Sequence, residues 1–157
     1  HLSCHANMKG IVINGDQITY FKLSELLRNK LDGKRLFISA CKAGNIELAA
    51  KAIVKCKAVS VIGSPINIDF DKSALFWPSF YHLINEMDDK RMVRATITRT
   101  LKKCVDLFGV PINYYYSIKN EPFKLKRLRL RKNKKIDYKT ISVVYKQIKI
   151  DARSSHK

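Results

Sequence analysis

The sequence predicts an α/β fold in which a mostly parallel sheet is flanked by helices. Residues 35–41 and 58–63 are short apolar runs with the length and composition of buried parallel strands. A helical pattern follows each run, the first with Asn45 at its N-cap and an apolar stripe along one face. Strands and helices that alternate at this spacing indicate βαβ units, in which the strands are parallel.

The residues before the first apolar run predict a strand end, a hairpin and a short helix. Residues 1–6 are typical of the end of a strand, and we expect further strands of the sheet to lie upstream. Asn14 and Gly15 separate two apolar runs and favour a type I′ turn, because both residues of that turn need positive φ. Ser24 is a suitable N-cap for a helix over residues 25–31.

Two longer helices are predicted after the second apolar run. The first is amphipathic, begins at Asp71 as its N-cap and reaches about Asn85. The second begins at Asp88 or Asp89 and stops at Gly109, which is followed two residues later by proline.

The chain has the length of one domain, residues 1–157, with a change of character near its middle. We expect residues 1–110 to form the core of this domain. Residues 111–157 are more basic and predict further strands, at residues 112–118 and 141–150.

The composition is that of a folded and strongly basic protein. Hydrophobic residues make up 46% of the chain and charged residues 28%, which argues against disorder. Lys and Arg outnumber Asp and Glu by 31 to 13, so the net charge is +18. No part of the given sequence has the pattern typical of a signal peptide, and no apolar run has bilayer length. The four cysteines lack metal-ligand spacing. We therefore expect reduced thiols in a cytoplasmic protein that does not bind membranes.

Residues 124–135 form a basic run with two interpretations. One is a patch that binds nucleic acid or an acidic protein, because a field of this sign attracts both. The other, which we favour, is a solvated hairpin arm or a protein contact, with Leu128 and Leu130 packed inward.

His5 and Cys41 are the candidate catalytic residues of the predicted fold. Each follows a predicted strand, and parallel α/β sheets place working residues just beyond the carboxyl ends of their strands. If these strands are neighbours, the imidazole and the thiol lie at one edge of the sheet. Imidazole promotes the thiolate that attacks an acyl carbon. Gly44 allows a sharp turn after Cys41 that leaves main-chain N–H groups free as an oxyanion hole.

The local sequences around these two residues resemble a known family. His1-Leu-Ser-Cys-His-Ala6 is similar to the His-box of CHAT peptidases, and Leu36-Phe-Ile-Ser-Ala-Cys-Lys-Ala-Gly44 is similar to their nucleophile turn. The resemblance covers about residues 1–87. It implies the caspase-like fold shared with separases and metacaspases, and thiol-dependent hydrolysis of protein substrates without a metal or cofactor. It also implies a regulated bacterial effector with a sensor region or a regulatory partner.

Carried over by this resemblance, Cys41 is the nucleophile and His5 the general acid and base. The backbone N–H groups of Cys41 and Ala6 form the oxyanion hole, although Ala6 stands where the family usually has glycine. Asp69 lies in the loop after the apolar run 58–63. It is the candidate for binding a Lys or Arg side chain of the substrate, immediately before the cleaved bond. Asn67 lies near the position where separases and metacaspases carry their acidic residue, so we assign it to substrate binding as well.

The other notable residues are predicted to be structural. Strand alternation points Cys4 away from the face of His5 and into the core. Cys56 and Cys104 lie on predicted helices, and Phe76 and Trp77 form a core cluster on a third helix. The competing functional hypothesis is a caspase-like scaffold without enzymatic activity, whose basic surface binds nucleic acid or an acidic protein.

Overall fold

A computed structural model describes residues 1–87 and 92–130, which fall into two units. The first unit consists of residues 1–68 and 111–128, and the second, among the described residues, of 69–110 and 129–130. The predicted boundary at residue 110 does not follow this division, because residues 112–128 complete the sheet of the first unit.

The described part of the first unit contains eight strands in two sheets. The strands are β1 (Leu2–Ser3), β2 (His5–Ala6), β3 (Gly10–Ile13), β4 (Asp16–Thr19), β5 (Arg35–Ser39), β6 (Ser60–Gly63), β7 (Ile112–Ile118) and β8 (Glu121–Leu128). The larger sheet has the order β1-β5-β6-β7-β8, and the smaller has the order β2-β3-β4. Strands β1, β5 and β6 run parallel, but β7 is antiparallel to β6 and β8 is antiparallel to β7. The sheet is therefore mixed, and the expectation of a mostly parallel sheet holds for its first three strands only.

The larger sheet forms because β5 and β6 are apolar on both faces. Leu36, Phe37 and Ile38 are all buried, and the strand register places Leu36 opposite Val61. Leu36 and Ile38 share one core cluster with Val61 and Tyr115, the residue of β7 that lies opposite Val61. A central strand has buried side chains on both faces. The prediction that the two apolar runs form buried, parallel strands is therefore confirmed.

The predicted hairpin is present between β3 and β4. Asn14 and Gly15 have φ values of 52° and 87°, as a two-residue type I′ turn requires. The turn sets the register, in which Ile13 lies opposite Asp16 and Ile11 opposite Ile18. Ile11 is buried by this register, with 1% of its surface exposed.

Helix α1 (Tyr20–Leu27) begins earlier than the sequence predicts. Its N-cap is Thr19, whose hydroxyl accepts a hydrogen bond from the N–H of Lys22 at 3.2 Å. Ser24 lies inside the helix, is buried, and donates to the carbonyl of Phe21 at 2.6 Å. The expectation that Ser24 caps the helix is therefore wrong: its hydroxyl bonds back to its own helix, which serine commonly does in helix interiors.

Helix α2 (Ile46–Ala50) has the predicted N-cap, because the side chain of Asn45 accepts from the N–H of Leu48 at 3.0 Å. A π-helical segment, Lys51–Lys55, continues it to Cys56, where the prediction ends the helix. The predicted apolar face is also confirmed, since its four residues are all buried: Leu48, Ala49, Ala52 and Ile53.

The described part of the second unit contains two helices, α3 (Phe70–Glu86) and α4 (Arg94–Phe108). The rings of Phe76 and Phe108 meet with their centroids 6.2 Å apart. Phe76 and Trp77 are buried, as predicted for a core cluster. Helix α4 ends at Gly109 with φ 70°, which confirms the predicted glycine stop.

The starts of these two helices correct the sequence prediction. Asp69, not Asp71, occupies the N-cap position of α3, and Asp71 lies in the first turn. Helix α4 begins at Arg94 after Val93, later than predicted. Asp88 and Asp89, the predicted starts of α4, lie outside the described residues.

Strand β7 coincides with the predicted strand, and β8 contains the first part of the basic run. Leu128 is buried, as the solvated-arm interpretation expects, whereas Leu130 is half-buried. Residues 131–135 of the basic run and the predicted strand at 141–150 lie outside the described residues. No helix in the described part of the chain is long and apolar enough to cross a membrane.

Three of the cysteines pack as the sequence predicts. Cys4 is half-buried against the core of the first unit, and Cys56 is buried with its thiol donating to the carbonyl of Ser24 at 3.2 Å. Cys104 in α4 is fully buried, and desolvation raises the pKa of its thiol to about 12. Burial also raises the pKa of Cys4 and of Cys56.

Candidate active site

The two residues proposed for catalysis follow adjacent parallel strands. Strand β1 pairs directly with β5, with Leu2 opposite Ile38 and Ser3 opposite Ser39. His5 comes two residues after Ser3, and Cys41 comes two residues after Ser39. The condition stated for the dyad, that the strands preceding these two residues are neighbours, is therefore met. In a parallel pair, equal spacing past paired residues brings both positions to the same end of the sheet.

His5 lies where the chain leaves the larger sheet and enters the smaller one. The N–H of Cys4 donates to the carbonyl of Ser39 at 3.2 Å, which extends the pairing of β1 with β5 by one bond. His5 itself lies on β2, where it pairs with Val12 of β3. The His5 side chain is exposed, and its imidazole is therefore accessible to solvent.

Cys41 lies in the turn after β5, where its side chain is half-buried. Its thiol donates to the carbonyl of Ile68 at 3.7 Å and accepts from the N–H of Ile68 at 3.5 Å. Ile68 thus orients the sulfur, and the hydrogen bonds of this thiol within the described residues are with that backbone rather than with His5. Lys42, the next residue, has φ 55° and reverses the chain direction.

Gly44 has a different role from the one predicted. The left-handed residue of the turn is Lys42, and Gly44 is needed because a Cβ there would lie 2.2 Å from the carbonyl oxygen of Gly63. The N–H groups of Lys42 and Gly44 donate to the carbonyls of Ile66 at 3.0 Å and Ser64 at 2.7 Å. These two main-chain N–H groups of the turn are therefore engaged within the fold, and they are not the oxyanion donors expected at Cys41 and Ala6.

Ala6 has an amide that the β2–β3 ladder does not use. Asn7 donates its N–H to the carbonyl of Gly10 at 3.0 Å, and His5 pairs with Val12 two residues further along. Antiparallel pairs alternate between hydrogen-bonded and non-hydrogen-bonded, so the Ala6–Ile11 pair between them is non-hydrogen-bonded. The N–H of Ala6 therefore points away from β3. Because Ala6 has the extended backbone of a strand, alanine fits here without a left-handed conformation.

The carbonyl of Gly44 is held by two side chains of β7. Asn113 donates its amide to this oxygen at 2.7 Å, and the hydroxyl of Tyr115 donates to it at 3.4 Å. Both side chains are buried. They hold the turn after Cys41 against a strand that is distant in sequence, which is why sequence reasoning did not identify them.

A second set of hydrogen bonds connects the His5 segment to the Cys41 turn. The buried hydroxyl of Tyr20 donates to the carbonyl of Asn7 at 2.7 Å. The amide of Asn45 donates to the Tyr20 hydroxyl at 3.1 Å and to the carbonyl of Lys42 at 2.8 Å. We call Tyr20 and Asn45 the tyrosine bridge. The sequence indicated only the capping role of Asn45 and placed Tyr20 at the end of a strand.

The two residues assigned to substrate binding differ in their position. Asn67 is exposed and lies between Ile66 and Ile68, whose backbones contact the Cys41 turn, so it belongs to the loop beside the thiol. Asp69 belongs to the second unit, where it accepts a hydrogen bond from Lys72 at 2.7 Å. The structure brings Asn67 to the Cys41 turn, whereas the pocket role of Asp69 stays a prediction.

Within the described residues, no three His, Cys, Asp or Glu side chains are grouped so that they could hold a metal ion. Comparisons with protein-family models, with curated protein sequences and with solved structures find no match for this chain. The resemblance to CHAT peptidases therefore stays a prediction, and function is inferred from the geometry of the chain itself.

Proposed function

We propose that the protein is a cysteine endopeptidase that hydrolyses peptide bonds of protein substrates with a Cys41–His5 dyad. The observation that supports this most strongly is the register of β1 and β5, which sets both residues two positions beyond the paired residues Ser3 and Ser39. A scaffold without enzymatic activity has no chemical need for a thiol and an imidazole at matched positions. The CHAT resemblance of both local sequences adds independent support.

In the proposed reaction, the imidazole of His5 takes the thiol proton of Cys41, and the thiolate attacks the scissile carbonyl carbon. The C–N bond then breaks, and the imidazolium gives its proton to the leaving amine. Water, deprotonated by the same imidazole, hydrolyses the thioester and returns Cys41 to the thiol. Each proton removed by His5 is thus given back, so no metal, oxidant or cofactor is consumed.

The N–H groups of Ala6 and Cys41 are the donors we propose for the oxyanion. Ala6 supports this role because its N–H points away from β3 and is not used in that ladder. Donors aimed at the developing oxyanion are typically worth about 10²–10³ in rate. The engaged N–H groups of Lys42 and Gly44 have a supporting role, since their bonds fix the turn.

Asn67 is the residue we propose for contact with the substrate on the Cys41 side. Ile66 and Ile68 on either side of it make backbone hydrogen bonds with Lys42 and Cys41. Asp69 is kept as a second candidate for selecting a basic residue before the cut. From the CHAT resemblance we also propose that the protein is a regulated bacterial effector, which a sensor region or a partner activates. The cytoplasmic location is proposed from the four cysteines, which we interpret as reduced thiols.

The proposed activity is tested by cleavage of an unbiased peptide library. The wild-type protein is compared with Cys41→Ala and His5→Ala, and with Cys4→Ala and His82→Ala as controls that remove the same chemical groups elsewhere. We expect cleavage by the wild type and both controls, and none by either dyad variant. Cleavage that persists in Cys41→Ala would contradict the proposal.

The alternative is a scaffold that binds a polyanion through its basic surface. It is favoured by Lys124, Lys126 and Arg127, which are exposed on β8 at one edge of the described sheet. Such binding weakens steeply as salt is added, because counterions are released on association. Salt-sensitive binding that Cys41→Ala leaves unchanged, in a protein that cleaves no peptide, favours this alternative over the peptidase.

A further inference from the structure

The segments that carry the two dyad residues are joined by the tyrosine bridge. Asn7 and Lys42 follow the dyad segments directly, one residue after Ala6 and one after Cys41. Their carbonyl oxygens are joined through the Tyr20 hydroxyl and the Asn45 amide by hydrogen bonds of 2.7, 3.1 and 2.8 Å. Movement of either segment would lengthen or break at least one of these bonds.

Both members of the bridge are fixed by their own surroundings. Tyr20 is fully buried, and its N–H donates to the carbonyl of Lys9 at 3.2 Å, which ties the start of α1 to the hairpin. The Asn45 side chain caps α2 through its carbonyl oxygen, so its amide is held in one orientation. Groups whose orientation is fixed in this way hold a neighbouring site to a small range of positions.

The Tyr20 hydroxyl makes one hydrogen bond as a donor and one as an acceptor. It donates to Asn7 and accepts from Asn45, so the direction of each hydrogen bond is determined. A tyrosine hydroxyl is protonated at neutral pH, and desolvation raises the pKa of Tyr20 further, so the hydroxyl remains a donor.

We propose that Tyr20 is a positioning residue that, through Asn45, holds the His5 segment and the Cys41 turn in the alignment that the dyad requires. This inference depends on the proposed peptidase function and adds a residue to it. Tyr20 touches no substrate in this role. It acts by fixing the backbone on both sides of the thiol–imidazole pair, where small displacements reduce reactivity strongly.

The test is the rate at which iodoacetamide alkylates Cys41, followed by mass spectrometry. The rate is compared in the wild type, Tyr20→Phe, His5→Ala and the double variant His5→Ala/Tyr20→Phe. Phenylalanine keeps the buried ring and removes the hydroxyl alone. Because the bridge is proposed to act through His5, a cycle of this kind separates positioning from a general effect on the turn.

We expect His5→Ala to lower the rate at least tenfold and Tyr20→Phe to lower it about tenfold. In the His5→Ala background, we expect Tyr20→Phe to change the rate less than about twofold. A Tyr20→Phe variant that reacts like the wild type would overturn the inference. So would an equal loss in both backgrounds, since the bridge would then only brace the fold.

The experiment distinguishes a failure of the Cys41–His5 dyad from a failure of the positioning role of Tyr20. If His5→Ala leaves the rate unchanged, the dyad itself is wrong and the positioning role fails with it. If His5→Ala slows alkylation and Tyr20→Phe does not, the dyad stands and only the positioning role is wrong.

Two further variants keep the test decisive. Tyr116→Phe removes a hydroxyl from β7 and is expected to react like the wild type. If Tyr20→Phe does not fold, as judged by circular dichroism, Asn45→Ser replaces it: serine still caps α2 but loses the amide that reaches Tyr20 and Lys42. A wild-type alkylation rate in Asn45→Ser would then overturn the inference.

Discussion

At Gly44 the chain passes so close to β6 that a side chain has no room. A Cβ at this position would lie 2.2 Å from the carbonyl oxygen of Gly63 and 2.8 Å from the carbonyl carbon of Ser64. Both contacts are with backbone, which cannot rotate away as a flexible side chain can. The same approach lets the N–H of Gly44 donate to Ser64 at 2.7 Å. Gly44, three positions after the proposed nucleophile, is thus constrained by space and not by its φ angle.

We expect Gly44→Ala to lower the free energy of unfolding by about 3 kcal/mol or more, because backbone must move to admit the methyl group. Gly33→Ala is the matched control: its φ of 67° disfavours alanine, but nothing lies within 4 Å. That variant is expected to lose only about 1 kcal/mol. Urea unfolding of both variants measures the difference, and equal losses would show that the close approach at Gly44 is unimportant.

Because the thiol of Cys104 is buried, we expect the free energy of unfolding to fall at alkaline pH. Desolvation raises its pKa from the ordinary value of 9.0 to about 12, so the folded protein keeps a proton that the unfolded chain loses. The stabilisation is present in full below about pH 9 and is lost as the pH rises toward 12, with a slope of up to about 1.4 kcal/mol per pH unit. The measurement is urea unfolding at several pH values between these limits.

Cys104→Ala is the comparison for this prediction, because it removes the titrating group from α4. We expect it to be less stable than the wild type at neutral pH, since it leaves a small cavity. Its stability should fall less steeply above about pH 9. Identical slopes in the two proteins would contradict the assignment.

At the scale of single elements, the first turn of α1 is stabilised by Thr19 and not by Ser24. The Thr19 hydroxyl accepts from the N–H of Lys22, whereas the Ser24 hydroxyl donates to Phe21 within the helix. We expect Thr19→Ala to cost about 1 kcal/mol of unfolding free energy. Ser24→Ala should cost less than about 0.5 kcal/mol, because alanine favours the helix interior. Urea unfolding measures the stability of both variants, and a larger loss in Ser24→Ala than in Thr19→Ala would contradict the assignment of the cap to Thr19.

Elements whose cause is local were predictable from the sequence. The Asn14–Gly15 turn, the Asn45 cap and the Gly109 stop depend on residues within a few positions, and all three are present. The caps at Thr19 and Asp69 were missed because neighbouring Ser24 and Asp71 are equally good cap residues by type. Only the packing of the helices decides which of two such residues lies at the end.

The arrangement of the strands depends on contacts between distant residues and was predictable only in part. The rule for parallel strands indicates the end of the sheet at which working residues lie, but it does not say which strands are neighbours, so the pairing of β1 with β5 comes from the structure. The antiparallel addition of β7 and β8 has no local signal. Tyr20 and Asn113 were missed for the same reason, because each bonds to a segment that is remote in sequence.

At the scale of the whole molecule, the net charge of +18 predicts a fold that salt stabilises. Like charges repel more strongly in the compact state than in the unfolded chain, and added salt screens this repulsion. We expect the free energy of unfolding to rise by on the order of 1 kcal/mol between about 20 and 500 mM NaCl. Urea is the denaturant to use, since guanidinium is itself a salt.

A variant with Lys126→Gln and Arg127→Gln is the control for this prediction, because Lys124 is paired with Glu121 at 3.3 Å and its removal would also delete an attraction. Both replaced side chains are exposed, so their removal changes the charge with little effect on packing. Its stability should depend less on salt than that of the wild type. Stability that falls as NaCl is added would contradict the prediction, and would indicate that attractive charge pairs dominate over repulsion.

The most direct test of the central claim is covalent labelling with a mixture of peptides that carry a thiol-reactive group at the carboxyl end. The labelled residue is identified by mass spectrometry in the wild type, in His5→Ala and in His82→Ala. A Cys41–His5 dyad predicts label on Cys41 alone, lost in His5→Ala and retained in His82→Ala. Label that falls on other cysteines, or that remains undiminished on Cys41 without His5, would contradict the dyad.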